Sequence, residues 1–189
     1  NYKLLIGSVI PRPIAFITTM GENGVVNGAP FSYFNVVSSN PPTLSVSIQR
    51  KNGLQKDTAK NIAAKQEFVV HIVDEDNVEK INETAASLPY GESEIDYAGL
   101  DLVASERIQT PGIAQAKVRY ECELVHTWQI ENDGLVTGDF FIGRILRFHI
   151  DEKVYQAGKI NYDELKAVSR LAGHDYAKIG DILTIARPE

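Results

Sequence analysis

The residues best suited to chemistry form one polar-aromatic block, Asn27-Gly28-Ala29-Pro30-Phe31-Ser32-Tyr33-Phe34-Asn35. It is followed by Ser38-Ser39-Asn40-Pro41-Pro42 and later by Lys56-Asp57-Thr58-Ala59-Lys60-Asn61. Small hydroxyls and amides crowd beside three aromatics, and a lysine stands where a helix is expected to begin. A stretch that only has to fold has no need of so many such groups. The combination suits a flat ring that carries an anionic tail. A helix start offers unpaired backbone N–H groups and a positive dipole end, and Lys56 with the Thr58 hydroxyl completes a phosphate cradle.

Each of these signals has a plainer reading beside it. Asp57 is a good N-cap for a short helix through Thr58, Ile62 and Ala63, and a cap alone accounts for it. Phe31, Tyr33 and Phe34 also serve as core aromatics in a strand-rich chain. Pro30 and Ser32 resist that explanation. A proline removes a ladder hydrogen bond and marks an edge or a bulge, so neighbouring backbone groups become available to a ligand's polar edge.

Other chemistries are poorly served. His71, His126 and His149 lie inside strand patterns and read as structural, and no metal site is indicated. His174 sits in an expected loop with Gly173, Asp175 and Tyr176 and is kept as a substrate-binding candidate. There is no Gly-x-Ser-x-Gly elbow, no G-x-G-x-x-G turn and no Walker A loop, so a nicotinamide nucleotide would not be held by a Rossmann glycine turn. No catalytic acid or base is named.

The elements that must position these residues are mostly strands. Ile14 to Thr19 reads as a buried strand, turning through Met20-Gly21-Glu22-Asn23-Gly24 into Val25-Val26 as a hairpin. Thr43 to Ile48 alternates, with Leu44, Val46 and Ile48 on one face and Thr43, Ser45 and Ser47 on the other, where a ligand can lie. Glu67 to Val73 is extended, Val78 to Ser87 fits a second helix, and Leu88 to Gly99 reads as irregular. Lys117 to Ile130 is a long half-buried strand with Val118, Tyr120, Cys122, Leu124, His126, Trp128 and Ile130 at one parity. A turn at Glu131-Asn132-Asp133-Gly134 leads to Gly138 through Ile150, where Phe140, Ile142, Leu146, Phe148 and Ile150 share a parity. Lys159 to Arg170 has weak helical character. Hairpin-joined strands outnumber helices, which favours a closed antiparallel barrel with peripheral helices over a parallel doubly wound sheet.

Composition sets the bounds. With 189 residues, 43% of them hydrophobic, the chain fills one core, so a single domain over residues 1–189 is expected. A net charge of −6 opposes nucleic-acid binding. No apolar run approaches the roughly 20 residues of a membrane helix. The single cysteine, Cys122, allows no internal disulfide and suits a reducing compartment, with the cytoplasm as the default.

The order of segments resembles the flavin reductase-like FMN-binding split-barrel family. The likeness rests on Gly7-Ser8-Val9-Ile10-Pro11-Arg12-Pro13-Ile14-Ala15, the block Asn27 to Asn35, Ser38 to Pro42 and Lys56 through Asn61. It continues through Glu67 to Val73 and into Ser169-Arg170-Leu171-Ala172-Gly173-His174-Asp175-Tyr176. The resemblance implies a mainly β, six-stranded antiparallel Greek-key split barrel, a homodimer, and FMN held noncovalently near the subunit interface. It implies that Ala29, Pro30, Phe31 and Ser32 line the isoalloxazine, that Ser47, Lys56, Asp57 and Thr58 serve the ribityl-phosphate end, and that Asn35 and Asn61 support them. NADH or NADPH would be the electron donor, and free flavin, a monooxygenase partner or another acceptor would take the electrons. An FMN-binding electron carrier without NAD(P)H activity is the alternative. Ala172 departs from the Arg-Leu-Gly-Gly that relatives show in the late loop.

Overall fold

The computed structural model describes residues 1–86, 88 and 92–188. Its frame is a seven-stranded sheet built from β1 (Ala15–Met20), β2 (Val26–Phe31), β3 (Phe34–Ser39), β4 (Pro42–Gln49), β5 (Glu67–Ile72), β6 (Val118–Asn132) and β7 (Leu135–Ile150). The strands lie in the order β2-β1-β5-β6-β7-β4-β3, and every neighbouring pair is antiparallel. One strand more than expected is present, because Phe34–Ser39 forms an edge strand. Among the described residues, five α-helices decorate the sheet: α1 (Tyr2–Ser8), α2 (Asp57–Lys65), α3 (Val78–Glu83), α4 (Glu94–Tyr97) and α5 (Tyr162–Leu165).

The two outermost strands of the order, β2 and β3, are consecutive in the chain and joined only by Ser32 and Tyr33. Their facing ends are three Cα steps apart, so they can be separated by no more than about 11 Å. A sheet whose margins are tethered so closely must curl until they meet, giving a barrel with an unzipped seam. Inside it pack Ala15, Ile17, Leu44, Val46, Ile48, Phe68, Cys122 and Phe141, with Ala59 and Ile62 of α2 closing the interior. A second apolar cluster covers the outside of β1, where Phe16 and Val26 meet Ile81 and Ile95 from α3 and α4. β1 is therefore buried on both faces, which explains why every residue from Ala15 to Thr19 is buried.

Several expectations change at this level. The helix expected over Val78 to Ser87 stops at Glu83, and the stretch expected to be irregular contains α4. Ser87 of the first, and Pro89, Tyr90 and Gly91 of the second, lie outside the described residues. The β6–β7 hairpin is half-buried only near the barrel. From Val125 to Asn132 every residue of β6 is exposed, Trp128 at 65%. On β7 the buried side is Asp139, Phe141, Gly143 and Ile145, opposite in parity to the apolar set read from the sequence. The buried set keeps one parity from Asp139 to Ile145, while Phe140, Ile142 and Leu146 on the other face are half-buried, so both faces carry apolar side chains and alternation alone does not name the inward one. The segment expected to be helical from Lys159 to Arg170 contains only α5. Its end joins a small three-stranded sheet of Arg12–Pro13, Val168–Arg170 and Tyr176–Lys178.

Gly143 shows how tightly the interior is filled. A Cβ added there would fall on the ring of Phe68, which is 1% exposed. Gly143→Ala is expected to cost about 1–3 kcal/mol by overpacking, read as a lower urea midpoint. Gly7→Ala, where nothing lies within 4 Å, is the matched control.

Candidate functional site

The seam opens into a cleft of about 410 Å³ whose lining includes Pro30, Phe31, Ser32 and Tyr33 from β2 and its connector, Ser47 and Gln49 from β4, and Lys56. This volume lies in the range of small-molecule sites. β4 presents Ser47 here because its alternation turns Leu44, Val46 and Ile48 inward. The Ser47 N–H donates to the Tyr33 carbonyl at 2.8 Å, which fixes the connector against β4.

Lys56 occupies the cap position of α2 in an extended backbone conformation, and no side chain caps the helix. Asp57, expected as the N-cap, is instead the first helical residue, and its carboxylate accepts from Lys60 Nζ at 3.0 Å. The amides at this helix start are thus left without a side-chain acceptor. Lys56 Nζ lies 5.6 Å from the centre of the Phe31 ring, within cation–π range. The side chain reaches solvent at the cleft, yet the protein around it lowers its pKa by desolvation, and Lys51 adds repulsion. A site that disfavours a free ammonium favours an anion beside it.

The remaining sequence-derived residues are distributed differently. Thr58 is buried, its hydroxyl donating to Asn27 Oδ1 at 2.8 Å, while Asn27 Nδ2 donates to Glu94 Oε2 at 2.8 Å. Asn61 Nδ2 donates to Thr19 Oγ1 at 3.1 Å. These contacts tie α2 and α4 to the sheet, and they spend the side chains of Thr58 and Asn61 inside the protein. Asp57 and Asn61 line a separate, much smaller hollow with Asn27. Ala29 packs against the core, and Asn35 is exposed, with its Oδ1 accepting from the Val36 N–H. His174 is exposed and outside the cleft lining, whereas Leu171, Gly173 and Tyr176 from its loop belong to the lining.

Sequence reasoning missed the far wall. Arg12, 7% exposed, donates to the carbonyls of Ile6, Val9 and Leu171 at 2.8, 2.6 and 2.8 Å. It thereby binds the end of α1 to the late loop. Arg170 is its ladder partner and stacks 4.4 Å from the Tyr176 ring. The Tyr176 hydroxyl donates to Asn82 Oδ1 at 2.8 Å. Arg12 and Arg170 are more than 150 residues apart in the chain, and only the small sheet's register brings them together. The cleft thus offers aromatic faces, hydroxyls, two amides, Gln49 and Asn82, and three cations, Arg12, Lys56 and Arg170, of which Arg12 is already engaged with backbone carbonyls; this fits a planar ring with an anionic tail.

Comparison with known proteins places the chain. The family model described as flavin reductase like domain matches residues 6–166. The Bacillus subtilis (strain 168) protein YwrF is 55% identical over 191 residues, covering 100% of this chain and 93% of that one. Nitrilotriacetate monooxygenase component B from Bacillus cereus superposes with a TM-score of 0.96 at 52% identity, covering 98% of this chain and 92% of its own. Pseudomonas fluorescens 2-nitrobenzoate 2-nitroreductase NbaA does so with a TM-score of 0.89 at 30% identity, covering 99% and 90%. With the barrel, its seam and this match in agreement, the chain belongs to the flavin reductase-like domain family.

Proposed function

We propose that the seam cleft binds FMN and that the protein is an FMN-dependent oxidoreductase of flavin reductase type. Hydride comes from NADH or NADPH, and the electrons pass to free flavin, a monooxygenase partner or another acceptor. The observation that carries this reading is the uncapped start of α2, bearing Lys56 at a cleft walled by Phe31, Ser32 and Ser47. Bound there, FMN would supply the hydride-accepting ring, which no side chain of this chain provides. Lys56 and the first amides of α2 hold the phosphate by charge-assisted hydrogen bonds, with Ser47 beside them. Pro30, Phe31 and Ser32 line the ring's side of the cleft. Arg170 and Tyr176 form the opposite boundary and limit how much water reaches the site.

Nitrilotriacetate monooxygenase component B is by its name one part of a monooxygenase, which supports a partner enzyme as acceptor. The exposed apolar arm carrying Val125, Trp128, Ile130 and Leu135 supports association of two copies. Among the described residues, no helix is long and apolar enough to cross a membrane, and we place the protein in the cytoplasm.

The test is rapid mixing of the FMN-loaded protein with NADH and, separately, NADPH. Loss of the visible flavin band with either is the expected result. Loss with dithionite alone would leave an electron carrier and overturn the reductase assignment. Protein that fails to quench the fluorescence of added FMN would overturn the binding assignment as well.

A further inference from the structure

A second feature, sharing no lining residue with the cleft, centres on Arg119. In the sheet Arg119 of β6 stands directly across from His71 of β5 on one side and His149 of β7 on the other. Neither accepts from it. The Ile113 N–H donates to His71 Nε2 at 2.9 Å, which leaves Nδ1 to donate to the Phe16 carbonyl at 3.0 Å. His149 Nε2 is engaged with Glu121 Oε1 at 2.5 Å.

Glu121 shares the ladder face of Arg119, two residues on. It is buried and already takes the amides of Glu106 and Arg107 at 2.8 and 2.7 Å. Glu106 is in turn paired with Arg147 at 3.0 Å. The charges of Glu121 and Glu106 reach Arg119 only through space. Its Nε is buried without a partner, and among the described residues no hydrogen bond or ion pair engages its guanidinium. One donor, the Nε–H, is thus buried without an acceptor, and the four on the Nη atoms meet no protein acceptor among the described residues.

The stem of this arginine is held in place. A Cβ at Gly112 would come within 2.9 Å of Arg119 Cδ, so the glycine backbone packs flat against it. Arg119 lines a cavity of about 450 Å³ together with Lys117, Arg147, Phe148, His149 and Asp151. Lys117 pairs with Asp76 at 2.6 Å and Arg147 with Glu106 at 3.0 Å, so both cations are spoken for, while Asp151, which accepts the Lys153 amide at 2.9 Å, keeps its negative charge.

We propose that this cavity is a second binding site, for a small molecule carrying an oxyanion, either a carboxylate or a phosphate, which receives the unspent donors of Arg119. A planar guanidinium matches both groups in a two-pronged arrangement, and a lysine cannot reproduce it. The experiment is a titration of arginine-¹⁵N-labelled protein, kept in excess FMN so that any phosphate site at α2 is filled. The Arg119 Nε–Hε resonance, assigned through its own backbone, reports this cavity whether or not FMN binds.

Inorganic phosphate and benzoate are the two probes, with sodium chloride at matched ionic strength as reference. The resonance is expected to shift and saturate with at least one probe in the millimolar range or below. A shift with phosphate alone assigns a phosphate ligand, and one with benzoate alone a carboxylate. Arg119→Lys should weaken the responding probe by about tenfold or more, measured by calorimetry. A resonance that moves no further with either probe than with chloride overturns the proposal, and this result needs no variant to fold.

Discussion

Lys56→Ala is expected to weaken FMN binding about 10- to 100-fold while leaving riboflavin affinity nearly unchanged. A hydrogen bond to a charged group contributes about 1.5–3 kcal/mol, and each 1.4 kcal/mol is a factor of ten. Riboflavin lacks the phosphate that Lys56 is proposed to hold, so its binding depends on the ring side of the cleft. Fluorescence quenching of both ligands on the variant and the parent protein measures the ratio directly. An equal loss for both would remove the phosphate from the start of α2. Thr58 is unsuited to the same test, because its hydroxyl is already committed to Asn27 within the protein.

Acid sensitivity is the other large effect. His71 is fully buried, and burial pushes its pKa down from 6.5 to about 3, against the opposing hydrogen bond to Phe16 and with added repulsion from Arg119. Between those two values the unfolded chain holds a proton that the folded chain refuses. Stability is therefore complete above about pH 6.5 and falls as pH drops toward about 3, at up to roughly 1.4 kcal/mol per pH unit. Summed over that window the loss is several kcal/mol. Urea unfolding from about pH 6.5 to 5 samples this window; burial also raises the carboxyls of Asp74 and Glu94, so the difference between parent and variant, not the slope itself, reports His71. His71→Gln should flatten the slope there, and a slope equal to that of the parent protein would assign acid sensitivity elsewhere.

Much of this frame is legible in the residues because local chemistry and tertiary role agree. The alternation of β4 places Ser47 at the cleft, and Lys56 stands at a helix start as its neighbours suggest. The polar-aromatic block is legible as unusual, although its last two residues, Phe34 and Asn35, are spent on an edge strand that runs on to Ser39. What stayed hidden depends on long-range register. Arg12 and Arg170 meet only across the small sheet, and no local pattern in either segment names the other. The inward face of β7 is ambiguous in the sequence because Phe140, Ile142 and Leu146 lie on one face and Phe141 and Ile145 on the other, and only packing decides which set is buried. Asp57 was placed as a cap on residue type alone, but the helix begins one residue earlier than that assignment requires.

Ser32 and Tyr33 join the two sheet margins and also line the cleft. How far the barrel gapes and how well its guest is clasped are therefore one mechanical coordinate. A bulkier occupant must spread the same two residues that hold the wall together, so the pocket's selectivity is set by the springiness of this short hinge as much as by the side chains facing inward.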